Sequence, residues 1–195
     1  MQRVAIIGIT GVGKTRLARE LAVRLGLPHV ELDGLYWGPG WSRSPRELFR
    51  RRLDAALRSD RWIADGTYLT RGSDITWSRA DTLVWLDYRL PLVYARLARR
   101  TWHRLGKGEE LWHGNRERLA HHFRDSPFLR ATQNCFRHRW LVPELLGRPE
   151  VAHLRVEHFV EPRATAAWLE SVAGRARELP PAGAAGRLQT GESLG

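Results

Sequence analysis

Cysteine and lysine are nearly missing from this chain. One cysteine, Cys135, occurs among 195 residues, so no disulfide can form within the chain. No stretch approaches the roughly 20 apolar residues that a membrane span needs. The first apolar run starts within a few residues of Met1, which leaves no room for a signal peptide, and a cytosolic location is the expectation. There are no internal repeats, no dinucleotide fingerprint of the G-x-G-x-x-G kind, and no helix-turn-helix, zinc-finger or RNA-binding signature. Lysine stands only at Lys14 and Lys107, so 30 of the 32 basic residues are arginine, a side chain that grips phosphates in a planar, two-pronged way.

What is present suits one domain. With 43% hydrophobic and 27% charged residues the composition is globular, and a chain of this length buries roughly 70% of the surface its unfolded form exposes. The formal charge of +11 calls for an anionic partner, either a nucleic acid or a small anionic substrate, and charge alone does not choose between them. Nine tryptophans are many for this length; Trp37, Trp41, Trp62, Trp77, Trp85 and Trp140 flank strands or loops where a base could stack, although core and rim are their ordinary uses.

Apolar runs and helical stripes alternate along the chain. Arg3 to Ile7, His29 to Leu32, Trp62 to Ala64, Thr82 to Leu86 and Val151 to Val156 read as short strands. Between them, Leu17, Ala18, Leu21, Ala22 and Leu25 form a stripe that ends at Gly26, with Pro28 beyond. Ser44-Pro45-Arg46-Glu47 has the pattern of a capping box that opens another helix, after a loop from Gly34 to Trp41. A helix runs from Pro91 to about Arg104 and carries Arg96, Arg99 and Arg100, with Arg96 and Arg100 on one face. Leu105 to Asn115 has no clear period and reads as a mobile loop. Helical pattern returns at Leu119 to Phe123 and Phe136 to Leu146, and Pro162 opens a last helix that fades near Glu178. Residues 179–195, rich in Pro, Gly and Ala, read as a disordered tail. Five strands alternating with helices predict an α/β fold with a five-stranded parallel sheet and helices on both faces, which binds ligands beyond the carboxyl ends of its strands.

The first strand leads directly into Gly8-Ile9-Thr10-Gly11-Val12-Gly13-Lys14-Thr15, the pattern G-x-x-x-x-G-K-[ST] of a phosphate-binding loop. Its glycines let backbone N–H groups turn toward phosphate oxygens, and the start of the next helix favours negative charge. Lys14 is placed to reach the β and γ phosphates, and Thr15 offers a hydroxyl to Mg²⁺. Gly8, Thr10, Gly11, Val12, Gly13, Lys14, Thr15 and Arg16 are thus the candidate nucleotide-binding residues, with ATP and Mg²⁺ as the expected ligands. One of two lysines in an arginine-writing chain stands where the motif requires lysine. The strands that follow end in Asp33, Asp65 and Asp87, which gathers carboxylates at the same sheet edge.

These motifs resemble the adenylate-kinase-like group of P-loop kinases, and within it the small bacterial topology-modulation proteins. The likeness runs from Met1 to about Leu169 through the phosphate loop, Leu32-Asp33-Gly34-Leu35-Tyr36-Trp37 with Gly40-Trp41, and Trp62-Ile63-Ala64-Asp65-Gly66-Thr67-Tyr68. Members usually have asparagine where this chain has Thr67, a difference that bears on the acceptor site. The resemblance implies a P-loop NTPase fold over 1–178 with a helical lid at about 100–125. It gives Asp65 a water-mediated hold on Mg²⁺, Arg96 a place against the adenine, and Arg100 a phosphate contact. Gly114-Asn115-Arg116-Glu117 looks like the lid segment, with Arg116 and Arg118 as closing arginines, and no zinc lid is expected from one cysteine.

The chemistry expected is transfer of the γ-phosphoryl group of ATP to a small acceptor, a nucleotide or nucleoside first, with Lys14, Asp33 and Arg100 as the catalytic candidates. A phosphate acceptor is already anionic, whereas a hydroxyl must lose a proton, and Asp33 stands where a carboxylate could take it. The alternative for Asp33 is a helix-cap or loop role. His113, His121 and His122 read as surface histidines. The competing function is a nucleotide-gated regulator that binds nucleic acid through its arginine surface, which would show a steep salt dependence and no acceptor-dependent turnover.

Overall fold

The computed structural model describes residues 1–107, 110, 112–115 and 126–178. Five strands form one parallel sheet: β1 (Arg3–Gly8), β2 (His29–Glu31), β3 (Trp62–Asp65), β4 (Thr82–Leu86) and β5 (Arg155–Phe159), in the order β2-β3-β1-β4-β5. The central strands are apolar at nearly every position because helices cover both of their faces. Along β1, Val4 and Ile6 enter one core while Ala5 and Ile7 enter the other, as the two-residue period of a strand requires.

The first core is closed by helices α1 (Lys14–Leu25), α5 (Leu90–Lys107) and α7 (Pro162–Glu178). Leu17, Ala18 and Leu21 of α1 are buried there, and each leucine contributes about 1.5–3 kcal/mol of burial. Gly26 ends α1 in the left-handed conformation, as its place before Pro28 predicts. The second core is closed by α2 (Leu32–Tyr36), α3 (Arg46–Ala56) and α4 (Ser73–Arg79). One further helix, α6 (Pro127–Leu146), serves both: Ala131 and Cys135 pack in the first core, Val142 and Leu145 in the second. Its middle therefore passes beside the mouth of the phosphate loop.

Four expectations are corrected. The fifth strand starts at Arg155, not Val151, because Pro149–Val151 forms a 3₁₀ turn and the backbone of Arg155 is the first to bond to Asp81. The loop from Gly34 to Trp41 is instead the short helix α2, which contains Asp33, followed by a 3₁₀ turn at Pro39–Trp41. The capping box does not form: the Ser44 hydroxyl donates to the Leu35 carbonyl and accepts from Arg52, leaving no side-chain cap on α3. The helix expected from Phe136, α6, begins at Pro127 behind the Ser126 cap, nine residues earlier. The anticipated helix at Leu119 to Phe123, Arg116 and Arg118 of the lid, His121, His122 and the tail at 179–195 lie outside the described residues.

Candidate functional site

The phosphate loop is fixed from several sides. Gly11 has φ +82°, and a Cβ there would lie 2.6 Å from Leu97 of α5; Gly13 has φ +106°. Both positions demand glycine, one for space and conformation, the other for conformation. Val12 between them is fully buried and ties the loop to the first core. The Thr67 hydroxyl clamps the loop's first residue, accepting from the Gly8 N–H at 3.0 Å and donating to the Gly8 carbonyl at 2.8 Å. No side chain caps α1, so the amides of its first turn, at Lys14, Thr15 and Arg16, are left for an anion.

Lys14 folds back over the loop, where its Nζ donates to the Ile9 carbonyl at 3.1 Å. Burial pushes its pKa down, Asp33 and Asp65 pull it up, and Arg100 pushes it down again. Thr10 lines the cleft above the loop. Arg96 donates to the Val12 carbonyl and stands over the Tyr88 ring at 5.1 Å, so it braces the loop while facing the cleft. Arg16 sits at the cleft margin, exposed and paired with Glu20 one turn on.

The carboxylates divide into two groups. Asp33 lines the cleft, and its Oδ1 accepts from the Tyr68 hydroxyl at 2.5 Å. Burial raises its pKa, with Asp65 and Glu31 adding to the rise, while the Tyr68 hydrogen bond and Lys14 hold it down. Tyr68 itself is pushed far up by burial and by the adjacent Asp33 charge, so it remains a hydrogen-bond donor. Asp65 lies behind the loop and is buried: its Oδ2 accepts from Thr15 Oγ1 at 2.6 Å, and its Oδ1 is 2.7 Å from His29 Nε2. A hydroxyl and a carboxylate in contact beside a helix start are the hard oxygen donors that Mg²⁺ takes together with water, so these residues fit that metal. Asp87 is engaged by Arg139 at 3.0 Å and is not among the described residues that line the cleft.

All of this opens on a cleft of about 1780 Å³ above the carboxyl ends of the strands. Arg99 and Arg100 of α5 line it, as do Arg130, Asn134, Arg137 and His138 of α6. The wall beyond Asp33 is aromatic: Tyr36 meets Trp37, Phe49 and Tyr68 at ring separations of 5.0, 5.5 and 4.9 Å, and Arg71 lies over the Tyr36 ring at 5.7 Å. The strap Trp112–Gly114 docks on the α2 side of this wall. Trp112 Nε1 donates to Glu31 at 3.0 Å, and the buried Asn115 donates to the Gly38 and Trp112 carbonyls and accepts from the Trp41 N–H. His113 lies against the Gly34 carbonyl at 3.3 Å. Thus the tryptophans at 37 and 41 line the cleft, whereas Trp62 and Trp77 are core and Trp140 is exposed.

Sequence reading placed the loop, Asp33, Asp65, Arg96 and Arg100 together, and it missed Tyr68 as the partner of Asp33, His29 as the partner of Asp65, and the cleft face of α6. The α6 face has a signal in hindsight: Ala131, Cys135, His138, Val142 and Leu145 are buried at helical spacing, with a histidine inside an apolar stripe.

No family model matches this chain, and no curated protein matches its sequence. Its fold is that of P-loop kinases. A shikimate kinase from Acinetobacter baumannii, solved with shikimate, superposes with a TM-score of 0.53 at 14% identity, over 91% of this chain and 94% of that one. A shikimate kinase from Bacteroides thetaiotaomicron superposes with a TM-score of 0.50 at 17% identity, over 91% and 99%. A gluconokinase from Sinorhizobium meliloti has a TM-score of 0.48 at 17% identity, over 91% and 96%.

Proposed function

We propose that this chain is an ATP-dependent phosphotransferase that moves the γ-phosphoryl group onto a hydroxyl of a small acceptor. The observation that carries the reading is Asp33: a shielded carboxylate that lines the cleft, under the influence of the Lys14 charge and oriented through one oxygen by Tyr68. A base at that place serves a hydroxyl acceptor and is superfluous for a phosphate acceptor. Of the two acceptor types that the motifs suggest, a nucleoside or another hydroxyl compound is favoured over a nucleotide's phosphate.

In this reading the backbone from Gly8 to Thr15 holds the β and γ phosphates, and Lys14 leaves Ile9 to reach them. Thr15 and, through water, Asp65 would hold Mg²⁺, which would supply positive charge to the phosphate oxygens. Arg96 presents a planar cation to the base, Arg16 stands at the rim, and Arg100 neutralises charge on the transferring group. The acceptor oxygen attacks the γ phosphorus, the bond to the β–γ bridging oxygen breaks, ADP leaves with that electron pair, and the hydroxyl proton passes to Asp33. Residues 1–178 act as one kinase-like domain in the cytosol, with the region of about 100–125 as lid.

The test is ADP release from Mg-ATP with a panel of nucleosides, nucleoside monophosphates and small sugar acids, using Lys14→Ala as the blank. Stimulation by hydroxyl compounds is expected. Stimulation only by monophosphates would remove the role given to Asp33. If ATP binds but no compound raises the rate above the blank, the nucleotide-gated regulator replaces the kinase.

A further inference from the structure

His138 is a histidine that no structural need explains. It sits in the middle of α6, 6% exposed, between the two cores that the helix joins, and its ring lines the cleft. Its Nδ1 is enclosed and has no hydrogen-bond partner among the described residues. A purely structural residue at such a place would be apolar, like its stripe neighbours Cys135 and Val142. Burial and the nearby charges of Lys14 and Arg137 hold its pKa down to about 4, so the imidazole is neutral and carries one N–H. An enclosed N–H without a partner is worse than an enclosed lone pair, which puts the proton on Nε2, the ring nitrogen that is not enclosed in this way.

We propose that His138 is a phosphate-recognition residue whose Nε2–H donates to an oxygen of the terminal phosphoryl group, the group that ATP has and ADP lacks. This rests on the kinase reading for its ligand. The place follows from the cleft that His138 lines together with Lys14, the side chain that this loop sends to the β and γ phosphates. The chemistry follows from the surroundings: Lys14, Arg99, Arg100 and Arg137 already supply positive charge to the cleft. A neutral donor adds direction there without further like-charge repulsion.

The experiment measures affinity of the full chain for Mg-ADP and for the Mg complex of a non-hydrolysable imido analogue of ATP, by titration calorimetry, in wild type, His138→Leu and His138→Gln. In His138→Leu the analogue should weaken about tenfold or more, the scale of one hydrogen bond to a charged group, while ADP stays within about twofold. The melting temperature should hold or rise, because an apolar side chain replaces an enclosed unpaired nitrogen. The glutamine amide reaches the Nε2 position and should restore part of the analogue affinity. Should the leucine variant not fold, His138→Asn, whose amide falls short, is expected to show the same loss. Equal weakening of both nucleotides, or an unchanged ratio of the two affinities, overturns the proposal. Neither affinity depends on turnover, so an absent acceptor reaction would count against the kinase and leave this ratio to be judged on its own.

Discussion

Asp33 and Tyr68 form the pair on which the residue-scale argument turns. The Tyr68 hydroxyl donates to the charged form of Asp33 and so opposes the rise that burial causes. Removing that donor favours protonation. In a hydroxyl-directed kinase Asp33 must be ionised to accept the proton, so kcat falls on the acid side as pH drops through its raised pKa. Tyr68→Phe should therefore move the acid limb of the kcat profile to higher pH and leave the alkaline side in place. Asp33→Asn should lower kcat by about 10²–10⁴-fold with a smaller change in KM for ATP, the usual scale of a lost general base. A profile that does not move in the phenylalanine variant would mean that the pair is a structural contact. Both residues stand in motifs that the sequence displays, Leu32-Asp33-Gly34 and Gly66-Thr67-Tyr68, yet their contact joins positions 35 apart and no period announces it. Thr67 shows the same limit: read as a difference at the acceptor site, its hydroxyl is spent on both backbone groups of Gly8.

At the scale of elements, the central strands and α1 were legible because their signals are local: continuous apolar runs, a helical stripe, and Gly26 before Pro28. The edge was not. Strand β5 reads Arg-Val-Glu-His-Phe and is exposed over most of its length, so its identity comes from pairing with β4 rather than from apolar content. The apolar Val151 lies in the second core and drew the expected strand four residues too early. Helix α4 has only seven residues, with Thr76 and Trp77 its buried ones, too few for a stripe. Ser44 followed three residues on by Glu47 satisfies a capping pattern, but Arg52 and the Leu35 carbonyl compete for the hydroxyl and win. The strap at 112–115 is also tertiary in origin, held by Asn115 on residues 38 and 41. Asn115→Ala removes the acceptor of the Trp41 N–H, so hydrogen exchange in the peptide spanning 38–42 should accelerate about tenfold while peptides of β1 and β4 keep their protection. Unchanged exchange at 38–42 would show that the ring contacts of Trp37 and Trp41 hold the strap's seat without Asn115.

Over the whole molecule, the charge of +11 is unevenly spent. Much of the arginine away from the cleft faces a carboxylate: Arg50 with Asp74, Arg79 with Asp54, Arg139 with Asp87 and Arg155 with Glu157. The cleft gathers Lys14, Arg43, Arg71, Arg96, Arg99, Arg100, Arg130 and Arg137 near Asp33, and three of its other carboxylates, Glu20, Glu31 and Glu170, are paired with Arg16, Arg19 and Arg24 at its margin. Walls of low dielectric focus such a field outward from the cleft, which speeds the approach of an anion more than it tightens the final complex. Raising the ionic strength from ~0.01 M to ~0.3 M shortens the screening length from ~30 Å to below ~8 Å and should remove most of that steering. The association rate of a fluorescent Mg-ATP derivative, followed by stopped flow, is expected to fall by about tenfold over this range, with a smaller fall for the less charged Mg-ADP derivative and little change in either dissociation rate. A flat association rate would mean that the cleft arginines are balanced by carboxylates within the bound ligand's reach, and the electrostatic case for an anionic substrate would then rest on the phosphate loop alone.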